Sequence, residues 1–336
     1  MFPGYFALVM ATGIVSMAMA IQGFDAVARV LFAIALFAYG VLWITGALRV
    51  AHGARSLVAD LADYGRGPQF LTIVAATSVL GIACVRFGGW TRAAVALWIL
   101  GAVLWIVVTY AFFAAVTVAA SKPRLEDGLD GSWLLATVST ESIAVLGTIV
   151  AGSFPRPDLV AFASLALFLA GAMLYILMIG LIFLRWFFRP MGAAALTPTY
   201  WINMGAVAIT TLAGARLIDA APGYPFVADI EHFLAGFTLF FWAIGTWWIP
   251  LLVVVLAWRH LHQRIPLRYD PQYWSLVFPL GMYSVATHAY AQGNGLEFLL
   301  PLARIAAFVS LAAWVLTAAG LARRLLRGRR EMFPSR

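Results

Sequence analysis

Five times along the chain, a hydrophobic segment interrupted by Ser, Thr and Gly is followed by a longer, almost unbroken run of Leu, Ile, Val, Phe and Trp. This pattern predicts helices over residues 3–21, 27–51, 68–87, 91–119, 132–152, 158–188, 198–219, 229–258, 271–292 and 297–325. Crossing roughly 30 Å of hydrocarbon takes about 20 residues, so each reads as a membrane span. Proline opens four of the odd-numbered helices, at positions 3, 68, 198 and 271, where a first helical turn tolerates it, and Ser132 opens the other. An aromatic residue stands just inside each start: Tyr5, Phe70, Trp133, Trp201 and Trp274. Gly65-Arg66-Gly67, Asp127-Gly128, Asp130-Gly131 and Pro222-Gly223 supply turn chemistry between spans.

These openings recur every 65 residues or so, and a fixed period of that kind signals repeat architecture. A repeat of two spans returns the chain to the side it left, so all five odd helices run in one direction. Parallel repeats are related by an axis along the membrane normal. The predicted fold is therefore an all-α membrane protein. Its ten transmembrane helices form five parallel helical-hairpin repeats, odd helices in an inner ring and even helices in an outer ring, around a central pore. Residues 1–325 make a single transmembrane domain, and residues 326–336 a short basic cytoplasmic tail.

Composition agrees: with 63% hydrophobic and 11% charged residues among 336, the chain lies far outside soluble domains, and no soluble catalytic domain fits beside the spans. The net charge of +8 would suit nucleic acid if it were clustered on a soluble face. It is instead asymmetric across the membrane. With the N-terminus inside, only Arg29, Arg86, Arg92, Arg156, Arg216 and Arg304 among the 22 basic residues fall at the outer side. That is the positive-inside pattern; it places both termini in the cytoplasm of a multi-pass protein of a bacterial inner membrane, with no nucleic-acid partner. Arg323, Arg324, Arg327, Arg329 and Arg330 then face anionic lipid. Cys84 is the single cysteine and lies within a span, which excludes an intramolecular disulfide or a cysteine metal cluster. Phe2-Pro3-Gly4 runs straight into the first span with no charged leader, so no cleavable signal is expected.

The odd helices hold the small and polar residues from which a pore wall would be built: Thr12, Gly13 and Ser16; Thr77 and Gly81; Thr140 and Glu141; Asn203 and Thr210; Ser284. The competing reading of the same residues is that they glue helices together, because small side chains admit close approach and hydroxyls bond across helices. Glu141, about 14 Å into its helix, is the one acid deep in a span. It either rests neutral or hydrogen-bonded between helices, or titrates during a proton-coupled cycle. Arg86, Arg216 and His288 stand roughly 25–27 Å along their helices. There they form a basic outer mouth that concentrates anions, or merely snorkel to the interface.

Phe2-Pro3-Gly4-Tyr5-Phe6, Met10-Ala11-Thr12-Gly13-Ile14-Val15-Ser16, Tyr200-Trp201-Ile202-Asn203-Met204-Gly205 and Tyr273-Trp274-Ser275-Leu276-Val277-Phe278-Pro279-Leu280-Gly281 resemble the tellurite-resistance and C4-dicarboxylate transporter family, which includes the plant slow-type anion channels. With ten spans in five repeats, the resemblance covers essentially the whole chain. It implies a homotrimer with one pore per subunit and small anionic substrates, from chloride and nitrate to small carboxylates. It also implies a phenylalanine plug on the ninth helix, matched here by Phe278 beside the mid-helix Pro279. Ordinary core packing is the other reading of Phe278. Only the ninth of the lining helices carries such a proline, a departure from the family, in which mid-helix prolines recur.

The expected function is a channel-like, gated pathway for small anions. The alternative is a proton-coupled C4-dicarboxylate or malate carrier, or a tellurite-resistance exporter. No cofactor, metal or catalytic residue is expected. A haem enzyme needs paired intramembrane histidines, whereas His52, His260 and His262 fall in inner loops and His232 near a helix end. A retinal protein needs a buried lysine, and Lys122, the only one, lies in a loop.

Overall fold

The computed structural model describes residues 3–332. Ten long helices account for most of them: α1 (Phe6–Ile21), α2 (Asp25–Leu61), α3 (Thr72–Gly88), α4 (Thr91–Val118), α5 (Leu135–Val150), α6 (Pro157–Phe188), α7 (Ile202–Ala220), α8 (Glu231–Ala257), α9 (Trp274–Gly293) and α10 (Leu300–Met332). No strand occurs among the described residues. Eight of the ten, taken with the turns continuous with them, are long and apolar enough to cross a membrane; α1 is a shorter apolar helix, and α9 falls outside that set. The protein is a multi-pass membrane protein.

Sequence and structure differ at several helix ends. α2 breaks at Gly53 and continues to Leu61, beyond the span Asp25–Ala51. α10 runs unbroken through the start of the basic tail to Met332, and residues 333–336 lie outside the described residues. His260 and His262 sit in a π-helical turn, Trp258–His262, that continues α8 instead of in a loop.

Each odd helix begins with a 3-10 turn: Pro3–Tyr5, Gly67–Leu71, Gly131–Leu134, Pro198–Trp201 and Pro271–Tyr273. Proline near a helix start fixes φ and removes an N–H that would have no intrahelical partner. The five turns touch their neighbours in a closed circle. The odd helices do the same: α1 packs on α3, α3 on α5, α5 on α7, α7 on α9, and α9 returns to α1. Every even helix lies against the odd helix before it, and α2, α4, α6 and α10 also reach the next one round. Burial follows this order. Some 89% of the α5 and α7 span windows is buried, against 22% for α2, α4, α8 and α10. Side chains such as Phe37, Ile44, Val107 and Leu177 are therefore left facing outward. In water such a surface would aggregate; in lipid it is solvated.

Aromatic side chains on the outer helices bond to the inner helix of the following hairpin, and they do so all the way round. Tyr39 of α2 donates to Thr77 Oγ1 of α3 at 2.8 Å, since the Thr77 hydroxyl gives its own proton to the Ile73 carbonyl. Trp105 Nε1 of α4 donates to Thr140 Oγ1 of α5 at 2.8 Å. Tyr175 of α6 donates to the Asn203 carbonyl of α7 at 3.2 Å while accepting from Trp248 Nε1 at 3.0 Å. Trp242 Nε1 of α8 donates to Thr287 Oγ1 of α9 at 3.1 Å, and Trp314 Nε1 of α10 to Thr12 Oγ1 of α1 at 2.9 Å. Such bonds within membranes average about 0.6 kcal/mol each.

Glycine brings the inner helices together. A Cβ on Gly13 would come within 2.8 Å of Val79, one on Gly81 within 2.6 Å of Leu146, and one on Gly205 within 2.6 Å of Pro279. A Cβ on Gly131 would lie 2.3 Å from the Thr199 carbonyl oxygen, which is backbone and cannot move aside alone. Gly131→Ala should therefore destabilise the protein by about 1–3 kcal/mol. Gly180→Ala, into open space, should leave the melting temperature of the detergent-solubilised protein unchanged. Equal melting of the two variants would contradict this packing.

At the inner end, Asp60 bridges Arg49 and Arg66, the latter at 2.5 Å. Burial raises its carboxyl, but the Arg49 hydrogen bond and the charges of Arg66 and Arg49 outweigh that and hold it below the usual value. A depressed native pKa stabilises the fold fully above about pH 4, where the unfolded carboxyl ionises, and the contribution disappears as pH falls through the native value. Melting temperatures should therefore be lower for Asp60→Asn than for the wild type at neutral pH, with the gap closing in acid.

Candidate functional site

Because the five odd helices are parallel, their N-termini converge at one end of the ring. Each carries about half a positive charge from its unpaired N–H groups. Here the 3-10 turns enclose a small cavity of about 10 Å³, near the size of one water. Its walls come from all five hairpins, and the polar ones are Gln69, Thr72, Ser132, Thr199, Gln272 and Ser275. The hydroxyls of Thr72, Ser132 and Thr199 already donate to the Gln69 carbonyl and to Asp130, so the donors left for an anion beneath the converging helix N-termini are the side chains of Gln272 and Ser275 and the second amide N–H of Gln69.

Two acids sit beside this cavity, and both are engaged within the protein. Asp270 caps its turn by accepting from the Gln272 N–H at 2.8 Å. Asp130 accepts from the Ser132 N–H at 2.9 Å, from the Ser132 hydroxyl, and from Thr199 at 3.4 Å. Burial pushes the Asp130 carboxyl up, opposed by those bonds and by the charge of Arg185. Arg185 is itself buried and donates to the Tyr200 hydroxyl at 2.6 Å.

A second cavity, of about 20 Å³, lies toward the other end of the ring. It too is walled by all five odd helices, through side chains such as Ile14, Val79, Val145, Leu212 and Val285, and Arg216 is its one charged wall. The two cavities share no wall residue. Phe278 belongs to the layer between them. At 100° per residue it lies within about 20° of Val285 on the face of α9 and about 60° from Ser275. It is fully buried. Seven residues past each hairpin's opening stand Met10, Ala75, Ser139, Gly205 and Phe278. One aromatic residue thus shares this register with one methionine and three small residues. The next residue, Pro279, packs on Gly205 of α7.

The polar residues read from sequence as pore lining are placed elsewhere. Thr12, Thr77 and Thr140 accept hydrogen bonds from outer helices, and Ser284 donates outward to the Ala303 carbonyl of α10 at 2.7 Å. Ser16 and Thr210 bond to carbonyls of their own helices, those of Gly13 and Ala206. Gly13 and Gly81 are helix contacts. Asn203 and Glu141 are buried off the cavities, their side-chain polar atoms unpartnered. The hydroxyls of Thr12, Thr77, Thr140 and Ser284 join the two rings; none of the ten residues walls either of these two cavities.

Of the three proposed mouth residues, Arg216 reaches the outer cavity and also pairs with Asp219 at 3.2 Å. His288 is half-buried within reach of the Arg216 charge. Arg86 is exposed, its guanidinium 6.0 Å from the Phe87 ring centroid. The wall residues missed by sequence reasoning share a register. Gly4, Gln69, Thr199 and Gln272 each follow an opening proline, and Met17, Ile82, Leu212 and Val285 each stand fourteen residues past an opening. Among the described residues no group of three or more His, Cys, Asp or Glu side chains is placed to hold a metal ion.

A multi-pass helical protein with two small cavities, each walled by its five odd helices, is the class that fold and site define. The chain belongs to the SLAC1 family, described as voltage-dependent anion channels, whose model matches residues 1–322. It is 40% identical over 144 residues to an uncharacterized membrane protein of Mycobacterium tuberculosis, covering 43% of this chain and 73% of the relative. It is also similar to two uncharacterized transporters of Methanocaldococcus jannaschii. One is 24% identical over 85% of this chain and 82% of its own length; the other is 23% identical over 78% and 74%. Family and relatives together support anion transport in general.

Proposed function

We propose that this protein is a gated, channel-like pathway for small anions such as chloride, nitrate or small carboxylates, held here in a closed state. The observation that carries this reading is the pair of cavities, each walled by all five odd helices and sharing no wall residue. On this reading α1 and α9 also span the membrane, giving ten spans in five hairpin repeats within a single domain. The inner cavity receives the anion on the amide donors of Gln69 and Gln272 and the Ser275 hydroxyl, beneath the helix N-termini. Phe278 is the gate, with Pro279 fixing its place against Gly205, and Arg216, with His288 near it, favours anions at the outer mouth. The basic inner loops put both termini in the cytoplasm of a bacterial inner membrane, and the family resemblance extends the unit to a homotrimer.

One observation favours a second reading, a proton-coupled carboxylate carrier: the carboxyl of Glu141 is fully buried with no cation paired to it and only the Thr210 hydroxyl beside it. Purified protein in liposomes, given chloride, nitrate or malate gradients with and without a pH step, separates the two. A channel passes anions only down their gradient; a carrier accumulates substrate when the pH step alone drives it. Phe278→Ala should raise anion conductance by on the order of ten-fold, the effect of lowering a barrier by about 1.4 kcal/mol. Unchanged currents at normal surface expression would remove Phe278 as the gate.

A further inference from the structure

The outer helices α6 and α8 are joined through aromatic rings: Phe183 lies 5.9 Å from Trp247 and 5.2 Å from Trp248, centroid to centroid. Between the two helices runs a groove of about 310 Å³, open to the outside. Tyr175, Ile179 and Phe183 wall it on α6, and Ile244, Trp247 and Trp248 on α8. Tyr175 and Trp248 are fully buried and make its floor, whereas Trp247 is exposed at its rim. The polar atoms of that floor are already used. Trp248 Nε1 donates to the Tyr175 hydroxyl at 3.0 Å, which donates in turn to the Asn203 carbonyl at 3.2 Å. Such a groove offers water no polar partner. On the lipid-facing side of a membrane protein hydrocarbon fills it, and left empty it would forfeit the dispersion contacts of its walls.

The same face of α8 ends in a cation. Ile244, Leu252, Val255 and Arg259 all lie within about 40° of Trp248 around the helix. Trp248 precedes Arg259 by eleven residues, about 16 Å of helix, which is one leaflet of a roughly 30 Å hydrocarbon core. Between them, Leu252, Val255 and Leu256 wall a smaller cleft of about 20 Å³ with Leu196 and Thr197. Arg259 Nη1 donates to the Leu196 carbonyl, so the guanidinium stands at the edge of this cleft. It is half-buried, its Nε has no partner, and the ion pairs among the described residues do not include it. Asp270 acts with Arg259 on the Tyr273 hydroxyl, but its carboxylate caps its own turn. The arginines at the matching end of α6 are engaged: Arg189 pairs with Glu126 at 3.3 Å, and Arg185 donates to Tyr200. A half-buried guanidinium with no acid paired to it calls for an anion from outside the chain.

We propose that α6 and α8 hold one anionic phospholipid of the inner leaflet, its phosphate on Arg259 and an acyl chain in the groove over Tyr175 and Trp248. Free phosphate would satisfy Arg259 and leave the groove empty. A zwitterionic lipid would fill the groove but bring its own cation to compete with the guanidinium. An anionic lipid matches both features, which share one helix face at the separation of a headgroup from the bilayer midplane. The leaflet follows from the orientation proposed above, and the site does not depend on the anion-transport reading. Because the Tyr175–Trp248 pair is also the junction between the third and fourth hairpins, the bound chain seals that junction from outside.

Native mass spectrometry of the full-length protein tests this, after incubation in detergent with phosphatidylglycerol or with phosphatidylcholine of the same acyl chains. The wild type should retain one phosphatidylglycerol per chain in preference to phosphatidylcholine, and that lipid should raise its melting temperature where inorganic phosphate does not. Arg259→Gln should weaken phosphatidylglycerol retention about five-fold, the worth of one basic residue at an anionic lipid surface, and abolish the preference between the two lipids. Ile179→Trp, which fills the groove, should reduce retention of both. The two substitutions stand at opposite ends of the site, so either one decides if the other fails to fold. Equal retention of the two lipids by the wild type, or undiminished phosphatidylglycerol in a folded variant, overturns the proposal. Inorganic phosphate that displaces the lipid or stabilises equally would make Arg259 a simple anion site. Loss of chain association in Ile179→Trp, with lipid retention unchanged, would make the groove an interface between copies; both results also overturn it.

Discussion

The arrangement depends on hydrogen bonds that run from each outer helix to the inner helix of the next hairpin. In lipid no hydrophobic force draws one apolar helix to another, so specific polar contacts and close packing must fix which helices are neighbours. Tyr39, Trp105, Tyr175, Trp242 and Trp314 make one such contact at every junction, including the one that joins the last hairpin to the first. Aromatic side chains are well suited to these junctions, because most of their surface is apolar and mixes with acyl chains, while a single N–H or O–H finds its acceptor inside the wall. Closure of the ring sets everything else, because a cavity walled by five helices exists only if the fifth meets the first.

That closure also determines the electrostatics. Five helix N-termini meet at one end without bringing a charged side chain into the wall of the cavity there, so that cavity offers partial positive charge through Gln69, Gln272 and Ser275. Partial charges hold an anion loosely. The fixed acids of that end are turned to structural work: Asp130 and Asp270 each cap a 3-10 turn, and Asp60 neutralises two arginines. The single guanidinium in a cavity wall, that of Arg216, is paired with Asp219 and lies at the far end.

The alternation of helix types and most segment ends could be read from hydrophobicity, because helix length and lipid exposure are written directly into composition. The identity of the wall residues could not be read that way. Thr12, Thr77 and Thr140 look like pore lining as long as polarity is assumed to point inward. In a two-layer bundle, polarity is equally useful pointing outward, where it meets Trp314, Tyr39 and Trp105. The walls follow register instead: Gln69, Thr199 and Gln272 stand one past an opening and Thr72 and Ser275 four past, whereas the apolar Ile14 and Val79 stand eleven past and Met17, Ile82, Leu212 and Val285 fourteen past. Reading those positions requires placing the five hairpins in phase. Glu141 was visible as an anomaly at once, yet its surroundings depend on Gly171, some thirty residues away in a different helix.

The contact between Gly205 and Pro279 has a consequence for how the family varies. One position has given up its side chain and the other carries a ring that fills the vacated space, so the two are halves of one steric unit shared by separate hairpins. Neither can drift independently: bulk gained at 205 must be matched by bulk lost at 279, or α9 shifts in its seat against α7. Among homologues, exchanges at these two sites should therefore arise together, and the pairing would mark where two hairpins must change in concert.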